Sequence, residues 1–223
     1  MLEILNEAAR WEKGCETDRV RNEFVVPIAI QLFNVLQPKS ILDVGAGTGF
    51  TARHIDQKLN YRPNWSLLDS DSERLALASR KCPQGMVVKT ICDNFLSAAS
   101  IVEKFDALFF GFTLLELGTN EQVLSQIDRL CAKRGAIVIA QPDVMQDVLA
   151  IASNDTNILN AFAAGPVSLR KIDKFTEAEY PFHAERFESV TYKLMRLGFS
   201  LERFEKEVFD GRVVFLLAFV RRD

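Results

Sequence analysis

Apolar residues follow two rhythms along this chain. Short continuous runs read as buried strands, and between them apolar positions fall at helical spacing. Helices are predicted over about residues 3–13 and 18–36, where Val25, Ile28, Leu32, Val35 and Leu36 recur until Pro38 breaks the pattern. Five strands follow: Ser40–Gly45, Trp65–Leu68 running into Asp69, Met86–Ile91, Phe105–Gly111 and Ala136–Ala140. The helices between them run from Thr51 to about Leu59, from the capping pattern Ser70-Asp71-Ser72-Glu73 to about Lys81, and over Glu121–Ala132, closed by Gly135. Beyond Gln141-Pro142-Asp143 the pattern weakens. Residues 144–182 read as helical pieces with a loop centred on Gly165-Pro166, and a helix over Glu185–Leu197 stops at Gly198. The chain closes with strands Ser200–Val208 and Arg212–Arg221, joined by the hairpin signal Asp210-Gly211.

Alternating strands and helices predict an α/β, doubly wound sheet with helices on both faces. Numbering the predicted strands one to seven, the expected order is 3-2-1-4-5-7-6: five parallel strands, then an antiparallel hairpin. The 223 residues fit one domain. Within it, residues 1–38 form an N-terminal helical lid, 39–142 the core, 143–190 a more irregular segment, and 191–223 the last helix end and hairpin.

Composition narrows the function classes. Hydrophobic residues make up 48% and charged residues 26%, the balance of a globular protein with a buried core. A net charge of -3 supplies no broad basic field, so nucleic acid is not an expected partner. The four cysteines, Cys15, Cys82, Cys92 and Cys131, lack C-x-x-C spacing, and the histidines are only His54 and His183, so no metal site is expected. Met1-Leu2-Glu3-Ile4 leads into a charged amphipathic stretch unlike a secretory signal, and no apolar run has the length of a membrane span. A cytoplasmic protein with reduced thiols is the expectation.

The chemistry concentrates in Asp43-Val44-Gly45-Ala46-Gly47-Thr48-Gly49. A strand ending in glycines and feeding a helix can present backbone N–H groups to a ligand and let it approach the main chain. The spacing is G-x-G-x-G. The dinucleotide fingerprint requires a further glycine where this chain has Phe50. Asp43 is a poor neighbour for a pyrophosphate and suits a ligand with sulfonium and ammonium groups. Asp69, at the end of the next strand with Ser70 beside it, can accept from both ribose hydroxyls. Cys92-Asp93-Asn94-Phe95 follows the third strand, where an acid can accept from an adenine amine. Each acid has a purely local alternative: Asp43 as a turn cap, Asp69 as a helix-start residue, Asp93-Asn94 as a turn.

Together these motifs, over about residues 40–142, resemble the class I, Rossmann-like S-adenosylmethionine (SAM)-dependent methyltransferases, and the terminal hairpin matches that family's sheet. The resemblance implies SAM as cofactor. It implies that Asp43 and the Gly45-Ala46-Gly47 backbone line the methionine part, that Asp69 and Ser70 flank the ribose, and that Asp93 faces the adenine amine with Asn94 and Leu68 beside the ring. Phe112 and Thr113 would border the transferable methyl, and Arg21 would face the SAM carboxylate. It places the acceptor near residues 1–30 and 143–190, where Trp11, Tyr180 and His183 stand out, and His183 is the candidate general base.

Subclass motifs restrict the acceptor. After the fourth strand the chain reads Gly111-Phe112-Thr113-Leu114-Leu115-Glu116, unlike the Asn/Asp-Pro-Pro-aromatic motif of nucleobase amine enzymes, and it lacks the cysteine of cytosine C5 enzymes. Gln141-Pro142-Asp143 offers one carboxylate, too few for the metal-dependent catechol type. A small-molecule acceptor methylated on O, N or C is expected. The alternatives are a protein or RNA methyltransferase and a non-catalytic SAM-binding protein. A dinucleotide oxidoreductase is opposed by Phe50 and the hairpin.

Overall fold

The computed structural model describes residues 6–151, 156–172 and 179–222. Its centre is β1 (Ser40–Val44), an apolar strand buried on both faces. It pairs in parallel with β2 (Asn64–Asp69) and β4 (Phe105–Gly111), and β2 pairs with β3 (Val87–Cys92). Strand β5 (Cys131–Pro142) continues the parallel series beside β4. The sheet closes with β8 (Phe199–Phe209) and β9 (Arg212–Arg221), and β9 runs antiparallel to β5. The order β3-β2-β1-β4-β5-β9-β8 is the predicted seven-stranded topology, with the two last strands renumbered by a small sheet inserted before them.

Alternate residues of the central strands feed two cores. Ile41, Ala107 and Phe109 face α2 (Val26–Leu36), α3 (Phe50–Asp56) and α4 (Ser72–Lys81). Leu42, Leu108 and Phe110 face α6 (Glu121–Leu130) and α9 (Phe187–Arg196). Helices therefore cover both faces, as parallel sheets require.

Several details depart from the sequence reading, each for a local reason. The first helix, α1 (Glu7–Thr17), runs about four residues past its predicted end, and the predicted helix at 18–36 is split: Val20–Val25 is a π-helical turn leading into α2. Pro27, at the start of α2, has no N–H to donate to the preceding turn, and the wider winding buries Arg21, Phe24 and Val25. The cap of α4 is Asp71, whose carboxylate accepts from Glu73 N at 2.9 Å and Arg74 N at 3.1 Å, leaving Ser70 outside the helix. Gly135 does not end α6. Strand β5 already begins at Cys131, and a Cβ at Gly135 would lie 2.6 Å from Cys131 Sγ. The 143–190 segment contains α7 (Met145–Ile151) and α8 (Thr156–Ala164). It also holds a two-stranded sheet, β6 (Val167–Ile172) paired with β7 (Glu179–Ala184), where only helices and a loop are predicted. A separate cluster of Val144, Val148, Phe162, Phe182 and Ala184 seats this segment on Leu115 of the short helix α5 (Leu114–Leu117).

Phe109 is fully buried at the sheet centre and meets Phe33 edge-on at 6.3 Å. Phe109→Ala should lower the free energy of unfolding by about 3–5 kcal/mol in a urea titration, through lost burial and the cavity left behind.

Candidate active site

The sheet order reverses at β1, so a crevice opens where the carboxyl ends of β1, β2 and β4 diverge. The loop leaving β1 turns on Gly45, Gly47 and Gly49, with φ of 69°, 55° and 67°. Gly45 and Gly47 are also points of close approach. A Cβ at Gly45 would run into the Thr113 side chain, and one at Gly47 would lie 2.9 Å from Trp11 Nε1.

The loop N–H groups do not project toward a ligand as expected. Gly45 N and Ala46 N donate to Leu68 O at 2.8 and 3.0 Å, Gly47 N to Asp69 Oδ2 at 2.7 Å, and Gly49 N to Ala46 O at 2.9 Å. The first three hold the loop against the end of β2, and the fourth closes the turn within it. A phosphate cradle needs them free.

Beneath the loop lies Asp43, 3% exposed, with Oδ2 buried and lacking a hydrogen-bond partner. Burial raises its carboxyl pKa to about 7; the positive charge of Arg21 opposes this and the negative charge of Asp69 adds to it. Arg21 is 8% exposed. It donates to Thr51 Oγ1 at 2.5 Å, and its guanidinium lies 5.0 Å from the Phe112 ring centroid.

A cleft of about 440 Å³ spans this region. Trp11, Arg21, Gly45, Ala46, Asp69, Ser70, Asp93, Asn94, Phe112 and Thr113 all line it, so most of the residues singled out in the sequence meet at one place. Asp69 accepts from Gly47 N and, through Oδ1, from Asp71 N at 2.9 Å; each oxygen keeps a second acceptor position. Asp93 is engaged locally, accepting from Asn94 N at 2.8 Å and Ser100 Oγ at 3.0 Å, as the turn alternative implies. Phe112 has φ 74°, a left-handed conformation costing a non-glycine residue about 1 kcal/mol. His183 is not among the residues lining the cleft. Its ring packs where a Gly118 side chain would sit, with Nδ1 3.0 Å from Ser168 Oγ. The backbone of Tyr180 lies in β7, opposite Lys171; its side chain is outside the described residues.

The sequence reading missed what closes the site. Glu12 of α1 is 3% exposed and accepts from Thr48 Oγ1, from Arg53 Nη2 at 2.6 Å and from Lys81 Nζ at 2.8 Å. Arg53 in turn donates to Thr48 O. One carboxylate thus ties the lid helix to the glycine loop, α3 and α4. Trp11, the next residue, faces Gly47 under the guanidinium of Arg74, 4.4 Å from its ring centroid. The available signal was positional: Glu12 falls on the same helix face as buried Ala8 and Cys15.

Burial raises the Glu12 pKa, but hydrogen bonds from Lys81 and Thr48 and the charges of Arg53 and Lys81 outweigh it, leaving the carboxyl below its ordinary 4.5. A depressed carboxyl stabilises the fold above its unfolded pKa, and that stability is lost as pH falls through the folded value. Thermal unfolding should therefore show an acid-side loss of stability below pH 4.5 that is reduced in Glu12→Gln. At neutral pH, Glu12→Gln should unfold more easily by about 3–5 kcal/mol, because Arg53 loses its buried counter-charge.

Comparison with known proteins agrees with this geometry. Residues 41–135 match the family model described as a methyltransferase domain. None of the curated protein sequences matches the chain significantly. Among solved structures, the magnesium protoporphyrin IX methyltransferase of Synechocystis, with S-adenosylhomocysteine bound, is 14% identical with a TM-score of 0.67, covering 96% of this chain and 93% of its own. A SAM-dependent methyltransferase from Aquifex aeolicus is 16% identical with a TM-score of 0.63, covering 98% and 100%. The N-methyltransferase NodS of Bradyrhizobium japonicum is 11% identical with a TM-score of 0.61, covering 92% and 99%. Residues 41–135 thus resemble a methyltransferase domain, and the chain has the fold of the class I, Rossmann-like SAM-dependent methyltransferases.

Proposed function

We propose that this protein transfers a methyl group from SAM to a small-molecule acceptor, on O, N or C, in the cytoplasm. The observation that carries the reading is the polarity of the loop. The N–H groups of Gly45, Ala46, Gly47 and Gly49 are spent within the protein, while a buried carboxylate oxygen of Asp43 stands without a partner. That arrangement favours a cationic ligand over a phosphate. The residues present fit SAM: Asp43 below its charged amino acid end, Arg21 near its carboxylate, Asp69 and Ser70 at the ribose, Asp93 and Asn94 at the adenine.

When bound, SAM supplies a methyl group already activated on a sulfonium. The chain's own part is alignment and exclusion of water. Trp11 and the Glu12 tie hold the lid over the loop. Phe112 and Thr113 form the wall where the methyl would emerge, with Glu116 further along it. A small acceptor is supported by the lid, which leaves a cleft and not an open face, and by the magnesium protoporphyrin IX relative. We propose that the 143–190 segment shapes acceptor access through α5, and that His183 acts there by packing on Gly118 and does not take the proton itself.

Calorimetry tests the cofactor. SAM and S-adenosylhomocysteine should bind and NAD should not; NAD binding in their place would overturn the proposal. Asp69→Ala should weaken SAM by about 1–3 kcal/mol. The pH dependence carries a sign. With its pKa raised to about 7, Asp43 is partly protonated below that pH, and a cationic ligand must displace the proton. SAM affinity should rise as pH approaches 7 and level off above it, and Asp43→Asn should flatten the profile.

A further inference from the structure

Strand β8 ends the main sheet, and among the described residues its outer edge pairs with nothing. It is eleven residues long, lacks proline, and seven of its residues are exposed. Long free edges are ordinarily blunted or covered. The register with β9 shifts between Leu201 and Arg203, so Leu201 lies opposite Phe219 and Phe204 opposite Leu217. Phe219 and Leu217 point to the same face. The bulge therefore places Leu201, Phe204 and Val208 together on the side where α9 packs, at 38%, 40% and 55% exposure. Tyr192 and Met195 of α9 add 63% and 55% exposed surface on that side. Phe204 is already anchored, stacking on Phe187 at 5.3 Å and lying 5.5 Å from Phe215.

The charges along the edge select an occupant. A second copy related by a two-fold axis perpendicular to the sheet would pair β8 antiparallel with itself, each residue opposite one of the same face. Phe204 is the midpoint of Phe199–Phe209, so a register centred there places the two strands in full overlap. In that register Phe204 meets its own copy and Arg203 faces Glu205 twice across the axis; same-face pairing runs over Arg203–Glu205, up to the bulge. Since Arg203 and Glu205 already pair within one chain at 2.6 Å, the two copies would close a ring of four alternating charges. Centring on Glu205 sets two carboxylates opposite each other. Centring on Lys206 opposes two ammonium groups and sets Glu205 against Glu207. The bulge at Glu202 lies outside the Arg203–Glu205 core of the favoured pairing.

We propose that the protein self-associates through β8, joining two sheets edge to edge about Phe204. Phe204 is covered by its own copy across the axis, and the clefts stay outside the contact. Sedimentation velocity and light scattering on the full chain test this, with circular dichroism confirming that each variant folds. The expected result is a dimer that is lost in Arg203→Glu and in Glu205→Arg and restored when both changes are combined. In a Cys92→Ser background, which removes the exposed native thiol, Phe204→Cys should form an intermolecular disulfide under mild oxidation and Lys206→Cys should not. A monomer at every concentration would overturn the proposal and leave the edge to a different partner. A dimer indifferent to the charge changes, or equal crosslinking at 204 and 206, would overturn it as well.

Discussion

The buried carboxylate of Glu12 is the constraint from which the site's geometry follows. Taking a carboxylate out of water is costly unless cations and hydrogen bonds replace the solvent. Here a guanidinium, an ammonium and a hydroxyl do so, and they come from three different places: α3, α4 and the glycine loop. None of these pieces can shift without uncovering a charge. The loop is held from the other side by the carboxyl end of β2, through Leu68 O and Asp69. With both sides fixed, the position of Trp11 over Gly47 becomes a property of the fold and not of a bound ligand.

Two acids at similar depth near this loop are treated in opposite ways. Glu12 is saturated by partners and sits below its ordinary pKa; Asp43 keeps an unpartnered oxygen and sits above its own. Glu12 therefore contributes to the fold as it stands. Asp43 costs stability in its charged form, because burial outweighs the nearby charge of Arg21. Local consistency of a sequence with its fold commonly fails at functional positions, and of the two carboxylates only Asp43 shows such a departure. Phe112 is a second departure of the same kind: a bulky residue held at positive φ, with its N–H tied to Ala140 O at 2.8 Å, where β4 leaves the sheet.

The main sheet and the glycine loop beside the cleft were legible in the sequence because both rest on local rules. Buried parallel strands read as apolar runs, and Asp43, Gly45, Gly47 and Asp69 lie at spacings set by one strand–loop–helix–strand unit. What escaped depends on partners distant in the chain. Glu12 reads as a solvated helix charge until Arg53 and Lys81 are placed beside it. Val167-Ser168-Leu169-Arg170 alternates as a strand should, with Val167 and Leu169 packed on the small core, but its partner carries Pro181, which argues against a strand. His183 stood out for its chemistry, yet its location depends on that hairpin and on the room left by Gly118.

Helix α5 joins these two halves. It is only four residues long, begins directly after the strained Phe112–Thr113 corner, and carries residues of opposite duty on adjacent positions. Thr113, Glu116 and Leu117 line the cleft, while Leu115 is packed against the cluster formed by α7, α8 and the β6–β7 hairpin. So short a helix has little stability of its own and takes its position from what it packs on. Its end is held by Gly118 against His183, and Thr119 beyond it donates to the buried Glu185, which is itself paired with Lys193 of α9 at 2.6 Å. A change in the hairpin therefore reaches the Thr113–Leu117 wall of the cleft through α5, while no described residue of the hairpin lines the cleft. That separation uncouples the described residues of the β6–β7 hairpin from Asp69 and the Glu12 tie, which are held by β2, α3 and α4.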